Sequence, residues 1–291
     1  MPDVLRLRAQ LAAPPAAVHS ALTDPRALCT WLAEHAEVSV PHGRFAFWGR
    51  TTPQGEPGRQ RLIAADPDRS LRFVWTLDEQ PTTVDILLQP DDGATLVALT
   101  QDNLPSLEEL MAPRGRRDGR HSMHTFWGLA LANLAAYVEG REWLPGADFS
   151  AARSSEIRIE LVIDAPQEDV FAALIDPARI GRWFGWEAEV EPHVGGRMTL
   201  GVDGRIFEFE PPKRLGYADG QGAVVRWELA DSGGRTHLTF VQSGYTDDEL
   251  DNAAQHEAGW LGSLAELKRM SELGDAWTPL TTELPADDDG G

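Results

Sequence analysis

The amino-acid sequence predicts an α+β protein with two tandem domains. In each domain, a curved antiparallel sheet of about six to seven strands wraps around a long C-terminal helix and carries two short helices. Three observations lead to this prediction. The chain has 291 residues, which suits two domains of ordinary size. It repeats itself once, and each repeat has the same order of strand-like and helix-like patterns.

The composition is typical of a globular protein that stays out of membranes. Hydrophobic residues make up 42% of the chain and charged residues 25%. No apolar run is long enough to cross a bilayer, and the first residues lack the apolar core of a signal peptide. The single cysteine, Cys29, cannot form an internal disulfide. These features predict a cytoplasmic location and no membrane insertion.

The charge balance and the missing motifs exclude several classes of function. There are 26 basic and 46 acidic residues, a net charge of −20. Such a field repels phosphate backbones, so we expect no nucleic-acid partner. The only lysines, Lys213 and Lys268, do not lie in a phosphate-binding loop. The spacings of common zinc, redox and serine-hydrolase motifs are also missing from the sequence.

The internal repeat indicates a duplicated domain. Residues 7–32 align with 159–184, and 124–134 align with 257–267; between them, 62–73 align with 206–217 and 92–101 with 233–242. The aligned pairs include Pro14 with Pro166, Asp24 with Asp176, Trp31 with Trp183 and Trp127 with Trp260. We therefore predict domains over 1–144 and 155–277, a linker over 145–154, and a solvated acidic tail over 278–291.

Each repeat begins with a strand followed by two short helices. Alternating apolar residues predict the strand, for example Ile157, Ile159 and Leu161. A proline then suits the first turn of a helix, where a missing N–H costs nothing. Asp24 and Asp176 each precede a further proline, which predicts that they cap the second short helix of their repeat.

The remainder of each repeat predicts a meander of strands and one long helix. Short alternating runs are separated by turn sequences such as DPDRS and PDDG, which favours antiparallel pairing of neighbours. Residues 121–139 and 256–273 then show helical periodicity with an apolar face. The concave face of the sheet is the surface large enough to cover that apolar face.

The sequence resembles a known family over nearly its whole length, twice. The runs LIAADPDRSLRFVW and TTVDILLQPDDGATLVALT are similar to bacterial proteins of the activator of Hsp90 ATPase homologue type. These belong to the SRPBCC superfamily of helix-grip domains, with START domains and polyketide cyclases. The family's closing pattern is present in the second repeat at His256, Gly259, Trp260, Leu264 and Leu267. The first repeat has Met123 and Phe126 in place of the histidine and the glycine.

The resemblance implies a cavity between sheet and closing helix that holds small apolar molecules. Aromatic side chains and two glutamines are the candidates to line this cavity. For the aromatic residues, packing in the core is the stronger interpretation. For the glutamines, hydrogen bonding at the strand ends is the stronger interpretation. The candidates are Phe45, Phe47, Trp75, Gln101 and Trp127 in the first repeat, and Phe207, Phe209, Trp227, Phe240, Gln242 and Trp260 in the second.

No catalytic or metal-binding constellation emerges from the sequence. His121 and His124 lie three apart on the predicted closing helix, but no third ligand accompanies them at a recognisable spacing. We therefore predict no metal, no cofactor and no catalytic residue. The basic segment from Arg114 to Arg120 aligns with the acidic residues 246–252, which suggests self-association or an interdomain contact; a solvated loop is the simpler interpretation.

Three functions fit these observations. The leading hypothesis is binding of a small apolar ligand. The second is a cavity-based enzyme, such as a polyketide cyclase or hydrolase, which rests on relatives alone. The third is a co-chaperone-like module that binds a protein, as the family name suggests.

Overall fold

A computed structural model describes residues 3–106, 109 and 119–283. By their contacts, the described residues divide into two compact units. Unit 1 has the bounds Met1–Ala151, Ala254–Gly262 and Leu280–Gly291, and unit 2 has the bounds Ala152–Ala253 and Ser263–Pro279. The predicted α+β fold is confirmed, because each unit contains a six-stranded antiparallel sheet. The predicted limits at 144, 155 and 277 stay a prediction.

Unit 1 is built on a sheet with the strand order β14-β1-β7-β6-β5-β4, beside a separate β2–β3 hairpin. One 3-10 turn, Val40–His42, lies inside the hairpin, and another, Gly119–Ser122, leads into the closing helix α3. The elements are β1 (Asp3–Leu11), α1 (Pro15–Thr23), α2 (Pro25–Trp31), β2 (His35–Ser39), β3 (Arg44–Trp48), β4 (Gln60–Asp66), β5 (Ser70–Leu77), β6 (Gln80–Asp91), β7 (Ala94–Leu104), α3 (Met123–Val138) and β14 (Thr281–Glu283).

Unit 2 repeats this arrangement with the strand order β8-β13-β12-β11-β10-β9. Its elements are β8 (Ile157–Ile163), α4 (Gln167–Ile175), α5 (Pro177–Phe184), β9 (Arg197–Met198), β10 (Gly204–Glu210), β11 (Arg214–Ala218), β12 (Val224–Asp231) and β13 (Thr236–Ser243). The long helix α6 (Leu250–Leu273) follows, and 3-10 turns at Asp247–Glu249 and Gly274–Ala276 flank it. Residues 263–273 of α6 belong to unit 2, and residues 254–262 group with unit 1.

The duplication is visible in matching side-chain hydrogen bonds. Nε1 of Trp31 donates to the carbonyl of Ala21 over 3.0 Å, and Nε1 of Trp183 donates to that of Ala173 over the same distance. Each indole thereby ties the second short helix of its unit to the first. Two further pairs of hydrogen bonds match. The hydroxyls of Thr95 and Thr236 donate to the carbonyls of Ala13 and Ala165, respectively. The backbone N–H groups of Ala12 and Asp164 donate to the carboxylates of Glu139 and Glu272.

Both predicted helix caps are confirmed. Oδ1 of Asp24 accepts from the N–H of Arg26 over 2.7 Å, and Oδ1 of Asp176 accepts from that of Ala178 over 2.8 Å. The proline after each aspartate occupies the first helical position, where its fixed φ suits the helix. The repeated carboxylates are therefore structural groups.

Removing either cap should weaken its unit. We expect Asp24→Ala and Asp176→Ala each to lower the free energy of unfolding by about 0.5–2 kcal/mol, because two helical N–H groups lose their acceptor. Urea titration followed by circular dichroism measures the change. Asp66→Ala is the matched control, since its exposed side chain lies on β4 and caps no helix; a loss as large in the control would refute the capping role.

A polar side chain on each closing helix binds a residue farther along the chain. In unit 1, the Asn133 amide donates to the Leu144 carbonyl over 2.9 Å and accepts from the Leu144 N–H over 3.1 Å. In unit 2, Oε2 of Glu266 accepts from Nε1 of Trp277 over 3.0 Å. Both contacts anchor the segment that follows the helix.

The segment after Trp277 differs from the expected solvated tail. Leu280 is buried, and residues 281–283 form β14, which pairs antiparallel with Ala9, Arg8 and Leu7 of β1. Pairing with β14 satisfies backbone groups on the outer edge of β1, which a solvated tail would leave open. Residues 284–291 of the predicted tail lie outside the described residues.

Candidate functional site

Six aromatic rings of unit 1 form one buried group, which we call the interior cluster. Strand alternation places Phe45 and Phe47 on the inner face of β3, and Phe73 and Trp75 on the inner face of β5. Helix α3 contributes neighbouring rings from its first turns. The interior cluster consists of Phe45, Phe47, Phe73, Trp75, Phe126 and Trp127, and none of these residues is more than 4% exposed.

Trp75 lies at the centre of the interior cluster. Its ring centroid is 5.0 Å from that of Phe47, 5.3 Å from that of Phe126 and 6.1 Å from that of Trp127. The interplanar angles of these pairs are 79°, 77° and 87°, so each pair is packed edge to face. The ring centroids of Phe45 and Phe73 are 4.8 Å apart, so this pair extends the cluster. This geometry combines ring faces with ring edges in an apolar interior.

A buried amide crosses the interior cluster. Gln101 is fully buried, and its Nε2 donates to Oγ1 of Thr82 over 2.8 Å. Its Oε1 accepts from Nε1 of Trp127 over 2.6 Å, and Oγ1 of Thr82 donates to the carbonyl of Trp75 over 2.8 Å. The amide of Gln101 thereby links strand β6 to helix α3 inside the unit.

One polar atom of the interior cluster lacks a partner. Trp75 is 0% exposed, and its Nε1 has no hydrogen-bond partner among the described residues. An indole N–H is a donor only, and a buried unpaired donor costs about 1–3 kcal/mol. Sequence reasoning singled out the Trp75 ring, but no sequence signal marks an unpaired N–H.

In unit 2 a buried indole on a different strand, that of Trp227 on β12, has a partner. Trp227 and Phe240 are fully buried, with ring centroids 4.7 Å apart. Nε1 of Trp227 lies 3.5 Å from Oη of Tyr217, which donates to the Leu200 carbonyl over 2.6 Å. Burial raises the pKa of Tyr217 far above its ordinary range, so the hydroxyl stays protonated. Tyr217 is not among the candidates that the sequence suggests.

The two phenylalanines of β10 do not share a face. The pairing of β10 with β11 shifts by a bulge between Ile206 and Glu208, which interrupts the alternation. Phe209 is half-buried and contacts Phe171 at 6.0 Å. Phe207 is 43% exposed, with the guanidinium of Arg226 5.2 Å from its ring centre. The expectation that Phe207 lines an interior beside Phe209 is corrected by this bulge.

The remaining two candidates of the second repeat are buried. Gln242 and Trp260 are each 5% exposed. The Gln242 side chain bonds to Tyr245, whose pKa is raised by burial. Trp260 lies in the part of α6 that groups with unit 1 by its contacts. The structure thus brings together the first-repeat candidates Phe45, Phe47, Trp75, Gln101 and Trp127. In the second repeat it brings Trp227 and Phe240 together and leaves Phe207 exposed.

The basic segment is described only at its end. Residues 114–118 lie outside the described residues, so self-association through this segment stays a prediction. Arg120 is described: its Nε lies 3.2 Å from Oδ2 of Asp78, and its backbone N–H donates to the same oxygen over 3.0 Å. Arg120 therefore fixes the start of the turn before α3 to the β5–β6 turn.

Within residues 3–106, 109 and 119–283, no three histidine, cysteine, aspartate or glutamate side chains are grouped as metal ligands would be. His121 and His124, three apart in sequence, each interact with other groups of the protein. In the same part of the chain, no helix combines the length and apolar character that a membrane span requires.

Comparison with known proteins identifies one family. The model of the family described as "Activator of Hsp90 ATPase homolog 1-like protein" matches residues 12–139 and again 164–272. No curated protein matches the chain significantly.

Several solved structures are similar to part of the chain. Protein MLL2253 of Mesorhizobium loti is 25% identical, covers 41% of this chain with 98% of its own length, and has a TM-score of 0.38. CalU16 of Micromonospora echinospora is 28% identical, with coverages of 40% and 73% and a TM-score of 0.34. The Aha1 dimer of Colwellia psychrerythraea is 20% identical, with coverages of 41% and 98% and a TM-score of 0.37.

Proposed function

Because the chain belongs to the activator of Hsp90 ATPase homologue 1-like family, whose fold is of a ligand-binding type, we propose that it binds a small apolar molecule. The site that we propose is the interior of unit 1, between the sheet and helix α3. The observation that carries this proposal is the interior cluster. Its six buried rings offer faces and edges to a flat apolar molecule.

The polar groups beside the interior cluster favour binding over acid–base chemistry. They are the Gln101 amide, the Thr82 hydroxyl and the indoles of Trp75 and Trp127. None of these groups titrates near neutral pH, and a general acid or base requires a group that does. Amides and indoles instead orient a bound molecule by hydrogen bonding.

We also propose that the protein works in the cytoplasm. Cys29 is an exposed free thiol and the single cysteine of the sequence. Exposed thiols persist in a reducing compartment.

Ligand binding should appear as thermal stabilisation. We expect the tricyclic hydrocarbon fluorene to raise the melting temperature of the full chain, because a ligand at about 100 times its Kd adds about 2.7 kcal/mol of stability. Differential scanning fluorimetry measures the shift. If neither fluorene nor smaller aromatic hydrocarbons stabilise the protein, the proposed function is refuted.

A pair of matched variants locates the site. Val84 of β6 is fully buried and pairs with Phe73, and Val225 of β12 is fully buried and pairs with Tyr217. We expect Val84→Phe to abolish the fluorene shift by filling the interior of unit 1, and Val225→Phe to preserve it. Circular dichroism shows whether each variant is folded. Loss of the shift only in Val225→Phe would place the site in unit 2.

A further inference from the structure

We propose that the ligand of unit 1 carries a neutral acceptor oxygen, such as a ketone carbonyl, which accepts a hydrogen bond from Nε1 of Trp75. This inference rests on the proposed function and specifies the chemical class of its ligand. It starts from a single buried atom, Nε1 of Trp75, which has no hydrogen-bond partner among the described residues.

The Trp75 N–H is the donor that the interior cluster leaves unused. Trp75 is 0% exposed, and the three nearest rings, those of Phe47, Phe126 and Trp127, surround it edge to face. Ring faces are weak acceptors at best. A buried N–H without an oxygen or nitrogen partner destabilises the empty state, so a ligand that brings an acceptor regains that free energy.

The other polar groups of the cluster already have partners. The Gln101 amide uses its nitrogen on Thr82 and its oxygen on Trp127. The Thr82 hydroxyl donates to the Trp75 carbonyl. The ligand therefore needs an acceptor for the Trp75 N–H. The polar groups named here already have partners, so a donor on the ligand would find none of them unpaired. This favours a carbonyl or ether oxygen over a hydroxyl or amine.

The ligand should also be uncharged. The residues that we name around Trp75 are phenylalanines, a tryptophan, a threonine and a glutamine, and none carries a charge. Moving an ionised group from water into such surroundings without an opposite charge costs far more than one hydrogen bond returns. A carboxylate would consequently bind worse than a ketone of the same shape.

Unit 2 shows how a chain can satisfy such an indole by itself. There, Trp227 Nε1 lies 3.5 Å from the Tyr217 hydroxyl, which is held by the Leu200 carbonyl. Of these two buried indoles, that of Trp75 has no such partner among the described residues.

A matched pair of probes tests the inference on the full chain. 9-Fluorenone and fluorene share one ring skeleton, and only the ketone carries an oxygen. We expect 9-fluorenone to bind about three- to ten-fold more tightly, the factor that one net hydrogen bond gives. In the ¹⁵N-labelled protein, we expect the Trp75 Nε1–H resonance to move downfield with 9-fluorenone but not with fluorene.

Two tryptophan variants serve as test and control. Trp75→Phe assigns the resonance and should remove the ketone's advantage. Trp31→Phe should preserve that advantage, because Nε1 of Trp31 already donates to Ala21. Since the resonance is read in the unmodified protein, the test does not depend on Trp75→Phe being folded.

Each outcome is decisive. Equal affinities for 9-fluorenone and fluorene, with an unmoved Trp75 resonance, would overturn the inference. A water molecule buried against the Trp75 N–H would give this result. The binding of fluorene would still support the proposed function. Binding of neither probe would overturn both. A ketone advantage that survives in Trp75→Phe would place the acceptor elsewhere and also overturn the inference.

Discussion

Replacing Asn133 with leucine should lower the free energy of unfolding of unit 1 by about 2–4 kcal/mol. The Asn133 amide pairs with both the N–H and the C=O of Leu144, and all of these groups are buried. Leucine fills a similar volume but leaves two buried backbone groups without partners, each at a cost of about 1–3 kcal/mol. Chemical denaturation gives the loss, and hydrogen exchange at the Leu144 amide should show local release.

Asn133→Asp is the matched control for this effect. It retains an acceptor for the Leu144 N–H and loses only the donor, so we expect a smaller loss than with leucine. A change below about 0.5 kcal/mol in Asn133→Leu, the range of ordinary surface substitutions, would contradict the anchoring role of the amide.

Replacing Gln101 with leucine should cost about 2–3 kcal/mol, because the buried N–H of Trp127 then has no acceptor. The hydrogen bond between Gln101 and the Thr82 hydroxyl is lost as well. Urea denaturation of the full chain, followed by tryptophan fluorescence, measures the change.

A double-mutant cycle supplies the control for Gln101. We expect Gln101→Leu combined with Trp127→Phe to lose less stability than the sum of the two single variants, since the double variant removes donor and acceptor together. Strict additivity would show that the 2.6 Å contact between the amide and the indole contributes nothing.

The repeat in the sequence carried most of the fold prediction. Matching prolines, aspartates and tryptophans located the short helices, and both aspartate caps are confirmed at Asp24 and Asp176. The strand β2 was not predicted, because its sequence HAEVS contains few apolar residues. Strand β14 was not predicted either, since three residues of TTE gain their pairing only from the distant β1.

The site was predictable as a group of rings but not as a set of hydrogen bonds. Alternation correctly places Trp75 and Phe47 inside unit 1, because β3 and β5 are regular. It fails at Phe207, because a one-residue bulge reverses the face and no sequence signal marked the bulge. Whether an indole finds an acceptor depends on distant residues, as the contrast between Trp75 and Trp227 shows.

Native mass spectrometry of the full chain with 9-fluorenone tests the central claim most directly. We predict a complex of one ketone per chain that is lost in Val84→Phe and retained in Val225→Phe. An absent complex, or one that survives Val84→Phe unchanged, would contradict the claim that the interior of unit 1 binds a small apolar molecule.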